Sequence, residues 1–496
     1  MWRPIRVVPA AAILLALVSC TDDPGSHVPS APAMDVTGAT ALSQGASQQM
    51  RAISDAIDAL EDAGLLNAGL VQGLRARVAS ATRLFDSGML NQGRAILSTI
   101  RLQVAGLVSG GGLTPDQAAP LAAAVNNALA GGLSLVSVTS GELHTCGLTV
   151  DGQAWCWGYN HYGQLGDGTT TNRNIPTPVV TDLRFVSLRA GGLHTCGLIP
   201  GGSAYCWGHG DLGELGNGTK SGSALPVRVS GDLTWTEVDA SFYLSCALAS
   251  DGTAHCWGSN QEAALGIATA TEACVFGTLS TPCSSTPVSV SGNLHFRSVS
   301  TGLLSSCGLD AAGNAHCWGW GSFGELGDGV RNGCETDPGF RCAASPTTVL
   351  GGPFASISAG GAFACGLTDT GTALCWGFGE FGQLGNGTKT LSYVPTMVAG
   401  GLSFSVVTAT KANSILGHAC GLMPTGKAYC WGSNAYGQLG TTSAPDACPF
   451  PNLSPACSLT PHPVDGDIAF SHISPGNGFT CGVDAGRGVW CWGRNE

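Results

Sequence analysis

The sequence predicts a mainly β protein, one unit repeated seven times, preceded by a small all-α module. Three observations carry this. A Cys-x9-Cys-Trp-Gly signal recurs seven times between Cys146 and Gly493, a helical apolar period is confined to the stretch before it, and glycine is abundant. Glycine supplies 74 of 496 residues, about twice ordinary usage, without the Gly-X-Y period of collagen. Hydrophobic residues at 44% exclude a disordered chain. No run of 18 apolar residues exists, so no mature helix spans a bilayer. Lys+Arg 21 against Asp+Glu 33 gives −12. That sign repels a phosphate backbone, so no nucleic-acid partner is expected.

The elements follow in order. Arg3 and Arg6 precede an apolar stretch from Val7 to Val18, broken only by Pro9. Such a stretch suits a signal h-region and is too short to cross a membrane. Leu17-Val18-Ser19-Cys20 resembles the lipobox of bacterial lipoproteins. The resemblance implies that residues 1–20 are a lipoprotein signal and that Cys20 is lipidated. The alternative is a secretory signal cut elsewhere, for example after Ala33. Residues 21–45, with Pro24, Pro29 and Pro32, read as a flexible tether.

Residues 46–130 form the helical module. Ile53, Ile57 and Leu60 make one stripe, Val71, Leu74, Val78 and Phe85 a second, Ile96, Ile100, Val104 and Leu107 a third. Gly64, Gly88 and Gly110 to Gly112 are C-cap signals. Asp62-Ala-Gly-Leu-Leu-Asn-Ala-Gly-Leu-Val is similar to Ser109-Gly-Gly-Gly-Leu-Thr-Pro-Asp-Gln-Ala, which suggests two helical hairpins. The pattern resembles the FIMAH module of bacterial extracellular proteins. A generic helical spacer is the alternative.

Residues 133–496 hold the repeat, and periods of this size mean solenoids, propellers or arrays. Trp-Gly follows the second cysteine in every copy. Six copies then carry Gly-x-Leu-Gly or a variant: Gly163 to Gly166, Gly213 to Gly216, Ala263 to Gly266, Gly324 to Gly327, Gly382 to Gly385 and Gly437 to Gly440. Strands started by Pro178, Pro226, Pro287, Pro346, Pro395 and Pro463 follow. The unit, typified by HTCGLTVDGQAWCWGYNHYGQLGDGTTTNRNIPTPVV at residues 144–180, resembles the repeat of the regulator of chromosome condensation family. The resemblance implies a seven-bladed β-propeller. Six Pro-started strands for seven blades imply that the last blade is incomplete, and residues 121–130 look helical and offer no substitute.

Cysteines ten apart face each other across an antiparallel hairpin only if its loop has an odd length. A three-residue loop wants glycine last, in the left-handed conformation. Gly152, Gly202, Gly252, Gly313, Gly371 and Gly426 stand there, and the seventh copy departs with Gly486-Arg487. Opposed residues lie within disulfide reach. The expected bonds are Cys146–Cys156, Cys196–Cys206, Cys246–Cys256, Cys307–Cys317, Cys365–Cys375, Cys420–Cys430 and Cys481–Cys491. Cys274–Cys283, Cys334–Cys342 and Cys448–Cys457 complete the set, in insertions of copies three, four and six. All paired, they imply an oxidising compartment. The spacing is not that of a zinc knuckle.

No catalytic constellation emerges: there is no Gly-x-Ser-x-Gly, Walker loop or His-Glu-x-x-His. No enzyme activity, metal or cofactor is therefore expected. His144, His194 and His418 share a repeat position, but Leu244, Ser305, Phe363 and Phe479 replace them elsewhere, so packed or hydrogen-bonded histidines are expected. His255 and His316 read as surface residues, and Asp167-Gly168-Thr169 and Asp328-Gly329 as turns.

The expected function is a lipid-anchored, extracytoplasmic scaffold for protein binding or adhesion, monomeric and held to the bacterial cell envelope through its lipid alone. Its partner is an unknown protein or cell-surface ligand. The three stapled insertions leave the repeat at one equivalent point, so they should share a face, each offering a phenylalanine: Phe276, Phe340 and Phe450. Clamping against proteolysis is the plainer account of the same staples. The resemblance also admits a secreted inhibitor of an envelope enzyme, or a guanine-nucleotide exchange factor.

Overall fold

The computed structural model describes residues 39–87, 90–130, 133–270, 272–276, 279–331, 333, 341–411, 416–448 and 456–494. Cys20, Gly88, Cys334, Phe340 and Phe450 lie outside them. Four helices come first: α1 (Ala39–Asp62), α2 (Ala68–Asp86), α3 (Leu90–Ser109) and α4 (Pro115–Ala130). Asn67 caps α2 by accepting from the Leu70 N–H. Thr114 and Gln117 form a reciprocal capping box at α4. The three apolar stripes face inward: Ile53, Ile57, Val71, Leu74, Ile100 and Val104 are all buried.

Seven antiparallel sheets follow. In blade 1, β1 (Leu135–Ser140), β2 (His144–Thr149), β3 (Ala154–Gly158) and β4 (Arg173–Pro178) pair in sequence order. Blades 2 to 6 repeat the arrangement over residues 187–228, 235–289, 296–348, 356–397 and 406–463, and blade 7 has three strands over residues 470–493. First strands of successive blades neighbour one another, and that of blade 7 (Phe470–Pro475) meets β1, which closes the ring. The fold is thus a seven-bladed β-propeller, with an incomplete last blade as expected.

The hairpins have the expected register. In all seven, the first cysteine lies opposite the second, at Cα distances of 4.0–4.1 Å. The six loop glycines are left-handed, and in blade 7 Arg487 takes that conformation itself at φ 68°. Each cystine packs between blades. The bond of blade 2 meets Trp257 of blade 3, and that of blade 5 meets Trp431 of blade 6. An aromatic ring at the start of the first strand lies over the same tryptophan, as Phe185 does over Trp207 at 5.6 Å. The Trp-Gly signal therefore marks residues that weld one blade to the next, because a four-stranded sheet alone buries too little apolar surface to stand.

Three expectations need correction. Proline does not start the fourth strands but sits within them. The valine three residues later defines the register, its N–H donating to a third-strand carbonyl, as Val179 does to Ala154 and Val464 to Ala428. By that register Pro176 and Pro461, not Pro178 and Pro463, match Pro226 and the rest. His255 and His316 are half-buried, packed on Trp235 at 5.5 Å and Phe296 at 6.0 Å. Finally, the helices do take the place left by the missing strand. One apolar core runs from Ile53, Leu74, Ile100 and Leu121 into Leu135, Val138 and Trp155 of blade 1 and Cys481 and Val483 of blade 7. At the other junctions a leucine and a valine of the outer segment fill that space, as Leu165 and Val179 do against Trp207. From α3, Arg101 donates to the carbonyl of Pro178 at 2.6 Å, which pins the bundle to β4.

Candidate functional site

Cys283, Cys342 and Cys457 lie opposite Ser259, Trp320 and Ser433. Each of those residues immediately follows Trp-Gly. The three insertions therefore rejoin the sheet at one equivalent point, and the described arms of blades 3 and 6 share a face with the Gly-x-Leu-Gly turns. In blade 3, Glu272–Phe276 forms an arm paired with Leu279–Ser289, and Phe276 stands opposite Leu279 at its tip. The Cys274–Cys283 bond is buried against Leu212 of blade 2. In blade 6, Cys448–Cys457 packs on Phe378 and Phe381 of blade 5. Cys342 is also disulfide-bonded.

A lysine of the preceding blade latches each of the two described arms. Lys220 Nζ donates to the Ala273 carbonyl at 2.8 Å and pairs with Glu272 at 3.2 Å. Lys389 Nζ donates to the Ala447 carbonyl at 2.5 Å. Sequence reasoning missed this, yet the signal is there: Gly-Asn-Gly-Thr-Lys occurs at residues 216–220 and 385–389, in the blades just before those arms.

The repeat-position histidines are blade-to-blade ties. His144 Nε2 meets Thr195 Oγ1 at 2.9 Å, His194 Nε2 meets Ser245 Oγ at 2.7 Å and His418 Nε2 meets Thr480 Oγ1 at 2.7 Å. Each hydroxyl gives its own proton to a turn carbonyl, of Gln164, Glu214 and Gln438 respectively. The imidazole Nε2–H must therefore be the donor. Burial pushes all three down to about 3.

The ring is also tied at its axis. The first-strand residue opposite the first cysteine accepts from the backbone of the next blade: Thr139 from Ala190, Ser300 from Ala359, Ser358 from Ala409 and Ser474 from Ser140. In blade 3 that residue is Asp239, which accepts from Thr301 at 2.7 Å. Lys411, from the first turn of blade 6, reaches across the axis to both Asp239 carboxylate oxygens at 2.5 Å, and Arg189 of blade 2 lies 3.4 Å away. Asp167 and Asp328, read as turn residues, pair with Arg173 and Arg341 at 2.7 and 2.6 Å.

One turn carries a destabilising choice. The second residue of Gly-x-Leu-Gly is Gln164, Gln383 or Gln438 in blades 1, 5 and 6, each accepting from the backbone N–H two residues earlier. Blade 2 has Glu214, paired with His209 at 2.7 Å. Blade 4 has Glu325, whose second oxygen is buried without a partner, and burial pushes its carboxyl up to about 8. A folded value above the unfolded one adds stability at low pH that is lost as pH rises toward 8. Glu325→Gln should therefore raise stability by on the order of 3 kcal/mol at pH 8 and change it little at pH 4.5. Denaturant melts at both pH values measure this, and an equal effect at the two would refute it.

Two models described as "Regulator of chromosome condensation (RCC1) repeat" match the chain. One covers residues 151–198, 201–248 and 370–416, the other residues 135–164, 235–263, 354–383 and 416–438. The matched segments, in blades 1, 2, 3, 5 and 6, are RCC1 repeats. Two solved structures share the fold. Human WBSCR16 does so with a TM-score of 0.58 at 18% identity, over 74% of this chain and 88% of its own. Prp20p from Saccharomyces cerevisiae gives 0.55 at 19%, over 72% and 82%. At such identity the likeness is one of fold. Among curated proteins, the human "Probable E3 ubiquitin-protein ligase HERC4" is 31% identical over 151 residues, 30% of this chain and 14% of that protein. The RCC1 segment shared with HERC4 is thus a small part of that relative's length.

Proposed function

We propose that this RCC1-repeat chain is an extracytoplasmic, lipid-anchored scaffold without catalysis of its own, which binds a protein or cell-surface ligand on the face of its stapled insertions. The observation that carries the reading is the placement of the staples. Described cystines brace every blade, in keeping with an oxidising compartment. Two further cystines stiffen arms on one face only. A loop held rigid before binding loses less entropy on binding, and Phe276, Phe340 and Phe450 are the aromatic anchors such loops would offer. Prp20p is a protein studied for binding to Gsp1p and histones. An exchange-factor role by analogy would need a reducing compartment, against which the cystines argue.

The test is photo-cross-linking on intact cells carrying the full chain. Wild type should give a discrete adduct in the membrane fraction. The Phe276→Ala, Phe340→Ala, Phe450→Ala variant, with an unchanged melt, should lower its yield at least tenfold, and Cys20→Ser should move the chain into the soluble fraction. Undiminished yield from the triple variant removes the three anchors. A wild-type chain found wholly soluble removes the lipid.

A further inference from the structure

The Lys411–Asp239 bond crosses the axis at the level of the first-strand residues that lie opposite the first cysteines. A second level lies two residues earlier in each first strand, and side chains two apart in a strand point the same way. It consists of Ser137, Ser187, Glu237, Ser298, Ser356 and His472, with Val406 in blade 6. First strands are the inner edges of the blades, and still the six polar residues are only half-buried. Val406 beside them is 42% exposed. Solvent therefore reaches the centre of the ring at this level. The turn after a first strand bonds to the residue after Trp-Gly, as Gly417 does to Ser433, and so lies on the face of the insertions. Lys411 comes from such a turn. The second level is thus a pit on the far side of the axial bond, open away from the arms.

The pit holds opposite charges that act on each other without pairing. Arg189 Nη1 donates to the Leu188 carbonyl at 3.0 Å, and its Nε stands 3.4 Å from Asp239, whose two oxygens both serve Lys411. The Arg189 side chain is 39% exposed, and a guanidinium has five N–H donors to offer. Glu237 accepts from the Val299 N–H at 3.0 Å through one oxygen. Burial pushes its carboxyl up, and Arg189 is the nearest charge to draw it back. The two form no ion pair among the described residues. His472 Nδ1 is buried without a hydrogen-bond partner. Burial and the Arg189 charge push that ring down to about 4, so it is neutral at pH 7. A buried polar atom left without a bond costs free energy that a ligand atom can return.

We propose that this axial pit binds a free α-amino acid as its zwitterion, with the carboxylate on Arg189 and the ammonium on Glu237. The charge pattern selects this class. A simple anion would be repelled by Glu237 and a simple cation by Arg189, whereas a zwitterion satisfies both. Arginine suits a carboxylate because its planar fork matches the two oxygens. His472 and the hydroxyls of Ser137, Ser187, Ser298 and Ser356 supply further hydrogen bonds, and a few convergent polar groups in a hollow are what fixes a small ligand. The proposal is independent of the scaffold reading, since the pit opens away from the stapled insertions.

The twenty common L-amino acids, each titrated by calorimetry into the full chain at pH 7, provide the probe. At least one should bind, one molecule per chain. Its N-acetyl form lacks the ammonium and its amide lacks the carboxylate, and wild type should bind each at least tenfold more weakly. Glu237→Gln keeps an acceptor for the Val299 N–H, and Arg189→Gln leaves the Lys411–Asp239 bond in place. Both variants should melt as wild type does and lose affinity at least tenfold. No binding by any amino acid at millimolar concentration overturns the proposal. Equal binding of the N-acetyl form would assign a plain anion site, equal binding of the amide a plain cation site, and either overturns it. Affinity unchanged in both variants places the ligand elsewhere and also overturns it. The triple phenylalanine variant should bind the amino acid as wild type does, so failure of this site and failure of the scaffold reading are told apart.

Discussion

Reduction of the folded chain with dithiothreitol is expected to abolish its cooperative melt at 25 °C. Each hairpin bond closes a loop of ten residues, worth about 2–3 kcal/mol against the unfolded chain on the loop-entropy account. Seven such bonds and two arm bonds of separation nine are present among the described residues, and together they approach roughly 20 kcal/mol. Net stabilities are only about 5–15 kcal/mol. The decisive comparison is therefore between the staples and the whole margin, and the staples win. Replacing one pair, Cys365→Ala with Cys375→Ala, should cost about 2–3 kcal/mol and leave the fold intact. Calorimetry with and without reductant checks both. A reduced chain that still melts cooperatively within a few degrees of the oxidised one would show that blade packing alone holds the ring.

Acid should open the ring well before the carboxylates are neutralised. His144, His194 and His418 are fully buried and held near 3, against about 6.5 in the unfolded chain. Between those values the unfolded state binds more protons, so stability is complete above pH 6.5 and falls as pH falls toward 3. The loss is about 1.4 kcal/mol per pH unit for each ring, hence about 2 kcal/mol apiece at pH 5. The structure gives the reason. The Nε2–H is already committed, and Nδ1 of His144 and His194 has no acceptor for a second proton. Urea melts from pH 7 to pH 4.5 should show the fall, and because burial also pushes His472 down to about 4, His194→Gln should reduce its slope by about a quarter. A stability profile flat across that range would contradict the assignment.

The hairpin cystines were legible because both partners lie in one local period, where spacing and loop parity decide the geometry. The same holds for the shared exit point of the insertions. The fourth-strand register was not, because Pro176-Thr-Pro178 and Pro461-His-Pro463 each offer two prolines, and only the bond from Val179 or Val464 chooses between them. The axial tie between Lys411 and Asp239 joins residues 172 positions apart. No periodicity announces such a pair, since nothing local distinguishes Lys411 from a solvated lysine. The role of the helices was misjudged for a related reason. Their stripes show that they bury a face, but not that part of it is buried against Trp155 and Val483 rather than against one another. At the histidines, the sequence argument worked by substitution: a position that accepts Phe363 as readily as His194 is a packing position.

The helical plug also sets an order on biogenesis. A ribosome making roughly 5–20 residues per second completes α4 some twenty to seventy seconds before Cys481 emerges. Through that interval the flank of the bundle and Trp155, which finally share a core with blade 7, have no neighbour on that side. Blades 1 to 6 can stack as each arrives, since apart from the axial Lys411–Asp239 pair their junctions join each blade to the one before. The seam cannot, and its partners are the most distant in the chain. It is the last joint to be made during synthesis, a waiting apolar surface for a chaperone to shield.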